Sequence, residues 1–208
     1  MKHFLKIVVM ASLVIPIQAQ VLFTGTTGGK NNGGVFAYAT GQRMNGVDST
    51  NNFGVVTYGA NDHVDVIGGA GDMVVAGRHV PYGVTGLAIG LPTGRKLKFD
   101  MLLFNAVSIP VAHQNLAATA FGNSAVIASK TFCFGKKFNP TPYTGYSWLY
   151  AFGPQDRIMA TPEVIRQIMF GVAIPFSKKT GVAVEYDQGR MKSLGVALNY
   201  NFVWKHAG

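Results

Sequence analysis

The chain has 208 residues, enough for one sizeable domain and too few to make two the natural reading. Only 13% of it is charged, well below the share a soluble globular surface needs, while 26 glycines and 12% aromatic residues sit in the same chain. The charge leans basic, with 18 Lys and Arg against 9 Asp and Glu. No basic run interleaves with aromatic residues, so nucleic acid is not an expected partner and an ordinary basic surface or an anionic lipid is.

The N-terminus reads as a targeting segment. "MKHFLK" is a basic n-region, "IVVMASLVI" an apolar h-region, and "PIQA" ends on a small residue suited to cleavage after Ala19, so residues 1–19 are expected to be a signal peptide. A retained anchor is the alternative, but the apolar run is shorter than the roughly 20 residues a membrane helix needs. Residues 20–33, "QVLFTGTTGGKNNG", are a Gly-rich leader, either a leading strand or a flexible tail. Cys133 is the single cysteine, which rules out an intramolecular disulfide.

From residue 34 onward the pattern has a period of two. Strands are expected near 34–41, 52–59, 62–70, 82–91, 96–105, 124–134, 143–153, 168–176, 180–188 and 193–204, ten in all with eight and twelve as alternatives. Asn61 and Asp62 are expected in the turn of "TYGANDHVDVIGGAG". "KLKFDMLLF" sets Leu97, Phe99, Met101 and Leu103 against Lys96, Lys98 and Asp100, and "YSWLYAF" sets Tyr146, Trp148, Tyr150 and Phe152 against Ser147 and Ala151. In "IMFGVAIPF" the large face is Ile168, Phe170, Val172, Ile174 and Phe176, and in "TGVAVEYDQ" it is Val182, Val184 and Tyr186. The last strand carries Val196, Leu198, Tyr200, Phe202 and Trp204 on one face, and Gly195, Ala197, Asn199 and Asn201 on the other. Short polar links such as "GAND", "LPTGRK", "GKKFNPTP" and "SKKT" fall on one side as antiparallel turns. "QRMNGVDSTN", residues 106–123 and "PQDRIMATPEVIRQ" fall on the other as loops, with Thr161 placed to start a short helix.

The face opposite the large apolar one decides the fold. A soluble sandwich or barrel would carry Lys, Glu, Thr and Gln there, whereas these strands carry mostly Gly, Ala, Ser and Asn with a few charges. Small residues suit the inside of a narrow barrel, and the large face then meets lipid with its aromatics at the interfaces. Lipid offers open strand edges no hydrogen-bond partners, so the sheet must close. The expected fold is all-β, a closed antiparallel up-and-down transmembrane barrel over residues 34–208.

With the signal peptide, the dyad pattern across residues 33 to 204 and the aromatic final strand, the chain resembles the small outer-membrane β-barrels of Gram-negative bacteria. That resemblance implies an outer-membrane location, contact with lipid and lipopolysaccharide, and recognition of Tyr200, Phe202 and Trp204 by the barrel assembly machinery. Four further residues, Lys205 to Gly208, follow Trp204.

Candidate chemistry is sparse. Lys96, Lys98, Asp100, Glu185 and Asp187 are assigned to the lumen, where acidic and basic members are expected to neutralise each other in part. His79 and His113, with Asp72 and Ser108, are the nearest approach to a lipid-modifying catalytic set, but no spacing ties a His to a nucleophile. No metal site and no cofactor are expected: no His or Cys pair has ligand spacing, and "GGAGDM" lacks the Lys and Ser/Thr of a phosphate loop. The expected function is a structural, adhesive or narrow-channel barrel without enzymatic activity. A secreted soluble β-barrel binding an apolar ligand is the alternative, and a lipid-modifying enzyme the third.

Overall fold

The computed structural model describes residues 27–44, 46–75, 77–91, 98–111, 120–134, 139–152 and 164–203. They form ten strands: β1 (Asn32–Met44), β2 (Val47–Asn61), β3 (Val64–Val75), β4 (Arg78–Leu91), β5 (Asp100–Pro110), β6 (Ala120–Ser129), β7 (Thr141–Phe152), β8 (Ile165–Pro175), β9 (Thr180–Gly189) and β10 (Met191–Val203). Each pairs antiparallel with its neighbours in the chain, and β1 closes on β10 from Asn32 opposite Val203 to Met44 opposite Met191. The fold is a closed all-β up-and-down barrel, and each expected strand overlaps one of the ten.

Alternation produces the two surfaces. On β10, Leu194, Val196, Leu198 and Tyr200 point outward while Met191, Ser193, Gly195 and Ala197 are buried. The outward residues are large and apolar, with Leu194 58% and Leu198 59% exposed. A belt of this kind is unfavourable in water and favourable in a bilayer. The expectation of a lumen lined by small residues holds only on part of the wall. Across β3, β5, β6, β7 and β8 the interior is packed with Ile67, Leu102, Phe104, Ile127, Leu149 and Met169, all fully buried. On β1, β2 and β3 small residues are outside instead: Ala37, Ala39, Gly54, Gly68 and Ala70 face outward. A narrow barrel is filled like a core, so its large residues distribute over both faces.

Three expected boundaries shift. "QRMNGVDSTN" is not a loop: β1 runs to Met44, β2 starts at Val47, and Gly46 at φ +80° closes the link. Glycine tolerates that left-handed backbone, and Gly77 at φ +75° does the same between β3 and β4. Near the tip of the first hairpin Arg43 pairs with Asp48 (Nε to Oδ1, 2.6 Å). The second turn is Asp62–His63, one residue later than expected, because a bulge between Gly59 and Asn61 precedes it and the His63 N–H donates to Asn61 Oδ1 at 2.8 Å. Finally, β5 extends to Pro110 and β6 starts at Ala120. Thr161 and the helix expected there lie outside the described residues.

Part of the leader is neither a free tail nor a strand. The Gly28 N–H donates to Asp65 Oδ2 at 2.7 Å, the Asn31 N–H to the Gly59 carbonyl at 3.0 Å, and the Thr27 hydroxyl to the Asp62 carbonyl at 2.9 Å. A Cβ at Gly59 would run into the Gly29 carbonyl. Thr27–Asn31 therefore lies as a strap across one side of the mouth where the barrel's chain ends emerge. The expected signal peptide lies outside the described residues.

Candidate functional site: a carboxyl pair in a filled lumen

The lumen divides lengthwise. Its β3–β6 wall carries the large apolar side chains together with Asp65, Ser108, Asn123 and Ser129, whereas the wall from β8 round to β2 carries Thr40, Gln42, Ser49, Asn51, Gln167, Glu185, Asp187 and Ser193, all buried. Strand register stacks these residues in rows. One row runs Tyr143, Gly171, Glu185, Gly195, Thr40 and Asn51 across β7, β8, β9, β10, β1 and β2. The next runs Met169, Asp187, Ser193, Gln42 and Ser49. Glu185 is 1% exposed and Asp187 0%.

Two glycines flank Glu185, and each is covered by a tyrosine ring from beyond it. A Cβ at Gly171 would overlap the ring and hydroxyl of Tyr143, and one at Gly195 would overlap those of Tyr38. The glycines thus give the rings room to lie flat against the wall, with their hydroxyls on either side of one carboxyl group. The Tyr143 hydroxyl and the Asp187 carboxyl are close enough to Glu185 to interact with it. Ser193 Oγ donates to Asp187 Oδ2 at 2.5 Å. The Gln42 amide is buried with neither of its polar atoms hydrogen-bonded, which is rare in native structures. A third tyrosine is placed alike: Tyr82 lies over Gly71 and donates to Asn51 Oδ1 at 2.7 Å.

Above this row, toward the mouth, lies a vestibule of about 710 Å³ lined by Asn139, Thr141, Lys178, Asn199 and Asn201 among others. Between it and Glu185 the wall is small, with Ala173, Ala183 and Ala197 side by side in the register. The strap over β2 and β3 covers one half of the mouth and the vestibule opens on the other.

The residues expected in the lumen separate. Glu185 and Asp187 lie deep inside. Lys98 and Asp100 do not: β5 begins at Asp100, so both sit exposed at the barrel end. Lys96 lies outside the described residues. The buried charged side chains among the described residues are Asp65, Glu185 and Asp187. Tyr200 points outward and stacks with Phe202 at 6.5 Å between ring centroids. Trp204 lies outside the described residues. The loose catalytic set is not assembled: His79 pairs with Asp72 at 2.5 Å on the outer wall, while Ser108 is buried in the lumen. His113 and His206 lie outside the described residues. Tyr38, Tyr143, Gly171 and Gly195 were not among the expected site residues. The signal that could have found them is a glycine at an inward position on each strand beside the one inward Glu.

No family model matches the chain, and no curated protein matches it in sequence. Among solved structures it is similar to the β-domain of the Bordetella autotransporter BrkA, at 12% identity over 82% of this chain and 99% of that one, with a TM-score of 0.52. It is also similar to the COG4313 outer membrane channel from Pseudomonas putida F1, at 9% identity over 84% and 96% of the two chains and a TM-score of 0.43. A third likeness, to the KdgM porin, has 11% identity over 80% and 99% and a TM-score of 0.42. The likeness to the autotransporter β-domain bears on fold alone: the chain has the architecture of an outer-membrane β-barrel.

Proposed function

We propose that the protein is an integral outer-membrane barrel of structural type, exported by its signal peptide, inserted by the barrel assembly machinery and held in lipid and lipopolysaccharide with its lumen closed. The observation that carries this reading is the packing of Ile67, Leu102, Phe104, Ile127, Leu149 and Met169 across the lumen, each fully buried. A barrel that fills its own interior with side chains spends its cross-section on stability rather than on a water-filled path. The apolar outer belt supports a lipid environment over the soluble alternative, because a soluble apolar-ligand binder would keep its large apolar residues around an internal cavity.

Planar-bilayer recording on the purified full chain tests it. The expected result is intact bilayers with no stable unitary conductance. A steady cation-selective conductance that Glu185→Gln alters would overturn the closed reading in favour of a narrow channel, which the polar vestibule favours. Release of the protein by carbonate or urea extraction would overturn both.

A further inference from the structure

We propose that the outer face of β8, β9 and β10, at the barrel end opposite the mouth, binds a phosphorylated glycolipid headgroup of the outer leaflet through Arg166, Arg190 and Lys192. This rests on the outer-membrane reading, in which that end faces outward, and it names one lipid site within that reading. All three residues are exposed. Alternation turns two of them outward, since Arg166 has the parity of Ile168 and Phe170, and Lys192 that of Leu194 and Val196. Arg190 is the link between β9 and β10. Register brings the three together: Gln167 faces Gly189, which sets Arg166 beside Arg190 at the end of that ladder. Ser193 faces Asp187, which sets Lys192 one row further in, beside the exposed Gln188.

Charge on this face has one sign. The acids of β9, Glu185 and Asp187, point into the lumen, and the outward residues of β8, β9 and β10 include no Asp or Glu. The patch ends at Arg43, opposite Lys192, because that guanidinium is already held by Asp48 through both Nε and Nη2. On the far wall Asp72 likewise pairs with His79. Immediately toward the belt, Phe170, Tyr186 and Leu194 form one exposed row of large apolar and aromatic side chains. Cations above such a row match an amphiphile whose anionic head sits over its acyl chains. Guanidinium forks suit phosphate oxygens in particular. Arg166 and Lys192 stand two strand spacings apart, roughly 10 Å. That is wider than one phosphodiester and suits a sugar headgroup carrying phosphate at each end.

The test uses the full chain folded in zwitterionic detergent, with a bisphosphorylated, acylated disaccharide as the probe and native mass spectrometry to count retained lipid. The expected result is one glycolipid per barrel, held in preference to phosphatidylglycerol at equal concentration and not displaced by the same concentration of inorganic phosphate. Arg166→Gln and Lys192→Gln should each weaken retention about fivefold, while Lys98→Gln/Lys179→Gln, which removes two charges at the mouth, leaves it unchanged. Heat-modifiable mobility on gels checks that each variant is folded. Equal retention by the wild type and the Arg166→Gln/Lys192→Gln double variant would overturn the proposal, as would an equal loss in the mouth variant. Equal retention of phosphatidylglycerol would overturn the glycolipid class, and displacement by inorganic phosphate would reduce the patch to a free-anion site. A comparison on the unaltered chain needs no variant: the same glycolipid stripped of both phosphates should be retained less, and undiminished retention would overturn the site. Release of the protein by carbonate or urea extraction sinks the outer-membrane reading instead, so the two proposals fail separately.

Discussion

At the scale of single residues, the lumen is organised by which positions carry no side chain. Gly195 lies between Glu185 and Thr40 in its row, and the Tyr38 ring occupies the space its Cβ would need. Tyr38 is also held from the other side by Phe53, edge-on at 4.7 Å between centroids, so it cannot yield freely. Gly195→Ala is therefore expected to cost about 1–3 kcal/mol, the usual penalty for overfilling a packed interior. Guanidine or thermal unfolding of the refolded barrel reads it. Gly41→Ala, where a Cβ meets nothing within 4 Å, should be near neutral by the same assay. Equal effects at the two positions would mean that Tyr38 does not lean on Gly195. Little of this was legible in the sequence. Glu185 and Asp187 stood out as inward charges on an alternating strand, but their surroundings come from β1, β7, β8 and β10. Nothing local in "TGVAVEYDQ" reveals that Tyr38, far away in the chain, covers the glycine next door.

At the scale of strands, the alternation was readable where outer residues are large and inner ones mostly small or polar, as on β9 and β10. It was unreadable where both faces are polar. Around the first hairpin Gln42, Ser49 and Asn51 point into the lumen while Arg43, Asp48, Thr50 and Asn52 point out, so the segment looks like a loop although it is continuous strand on both sides of Gly46. The β5 boundary failed for a different reason. "KLKFDMLLF" alternates well, but the sheet begins only at Asp100, and Lys98 before it is exposed. The facing of the readable strands has a direct test. Val184 and Val196 are opposite one another and exposed on the outer wall, whereas Ala183 and Ala197 pair with each other inside. Val184→Arg should lose about 2–4 kcal/mol of folding free energy in bilayers if this level lies near the midplane. Measured by reversible unfolding from liposomes, a Val184→Arg barrel as stable as the wild type would invert the assignment of faces.

At the scale of the whole molecule, closure depends on one seam, since β10 must find β1 before any strand edge is satisfied. Along it Tyr200 lies opposite Val35 and Phe202 opposite Gly33, both pairs at the mouth where the chain ends emerge. The same end carries exposed Phe132, Phe134 and Phe176, with Lys130 Nζ 5.2 Å from the Phe132 ring centroid. Aromatics there can serve two physical purposes. As an interfacial girdle they anchor the finished barrel at headgroup level, where their rings meet apolar chains and their edges meet water. As a recognition surface on the closing strand they act earlier, before the sheet is sealed. The two roles separate by when a loss appears. A girdle of several aromatics is redundant, so removing two of them should lower the stability of folded barrels slightly and leave their number unchanged. A recognition strand is not redundant, because each barrel has only one closing edge to present. Replacing Phe202 and Trp204 by Ala is therefore expected to leave the precursor made and processed while lowering its level in the outer membrane, and removing Lys205 to Gly208 is expected to be tolerated. Membrane fractionation followed by heat-modifiable mobility on gels distinguishes the cases. Unchanged outer-membrane levels of a double Ala variant that merely melts earlier would assign these residues to the girdle, and leave closure of the β1–β10 seam to backbone pairing alone.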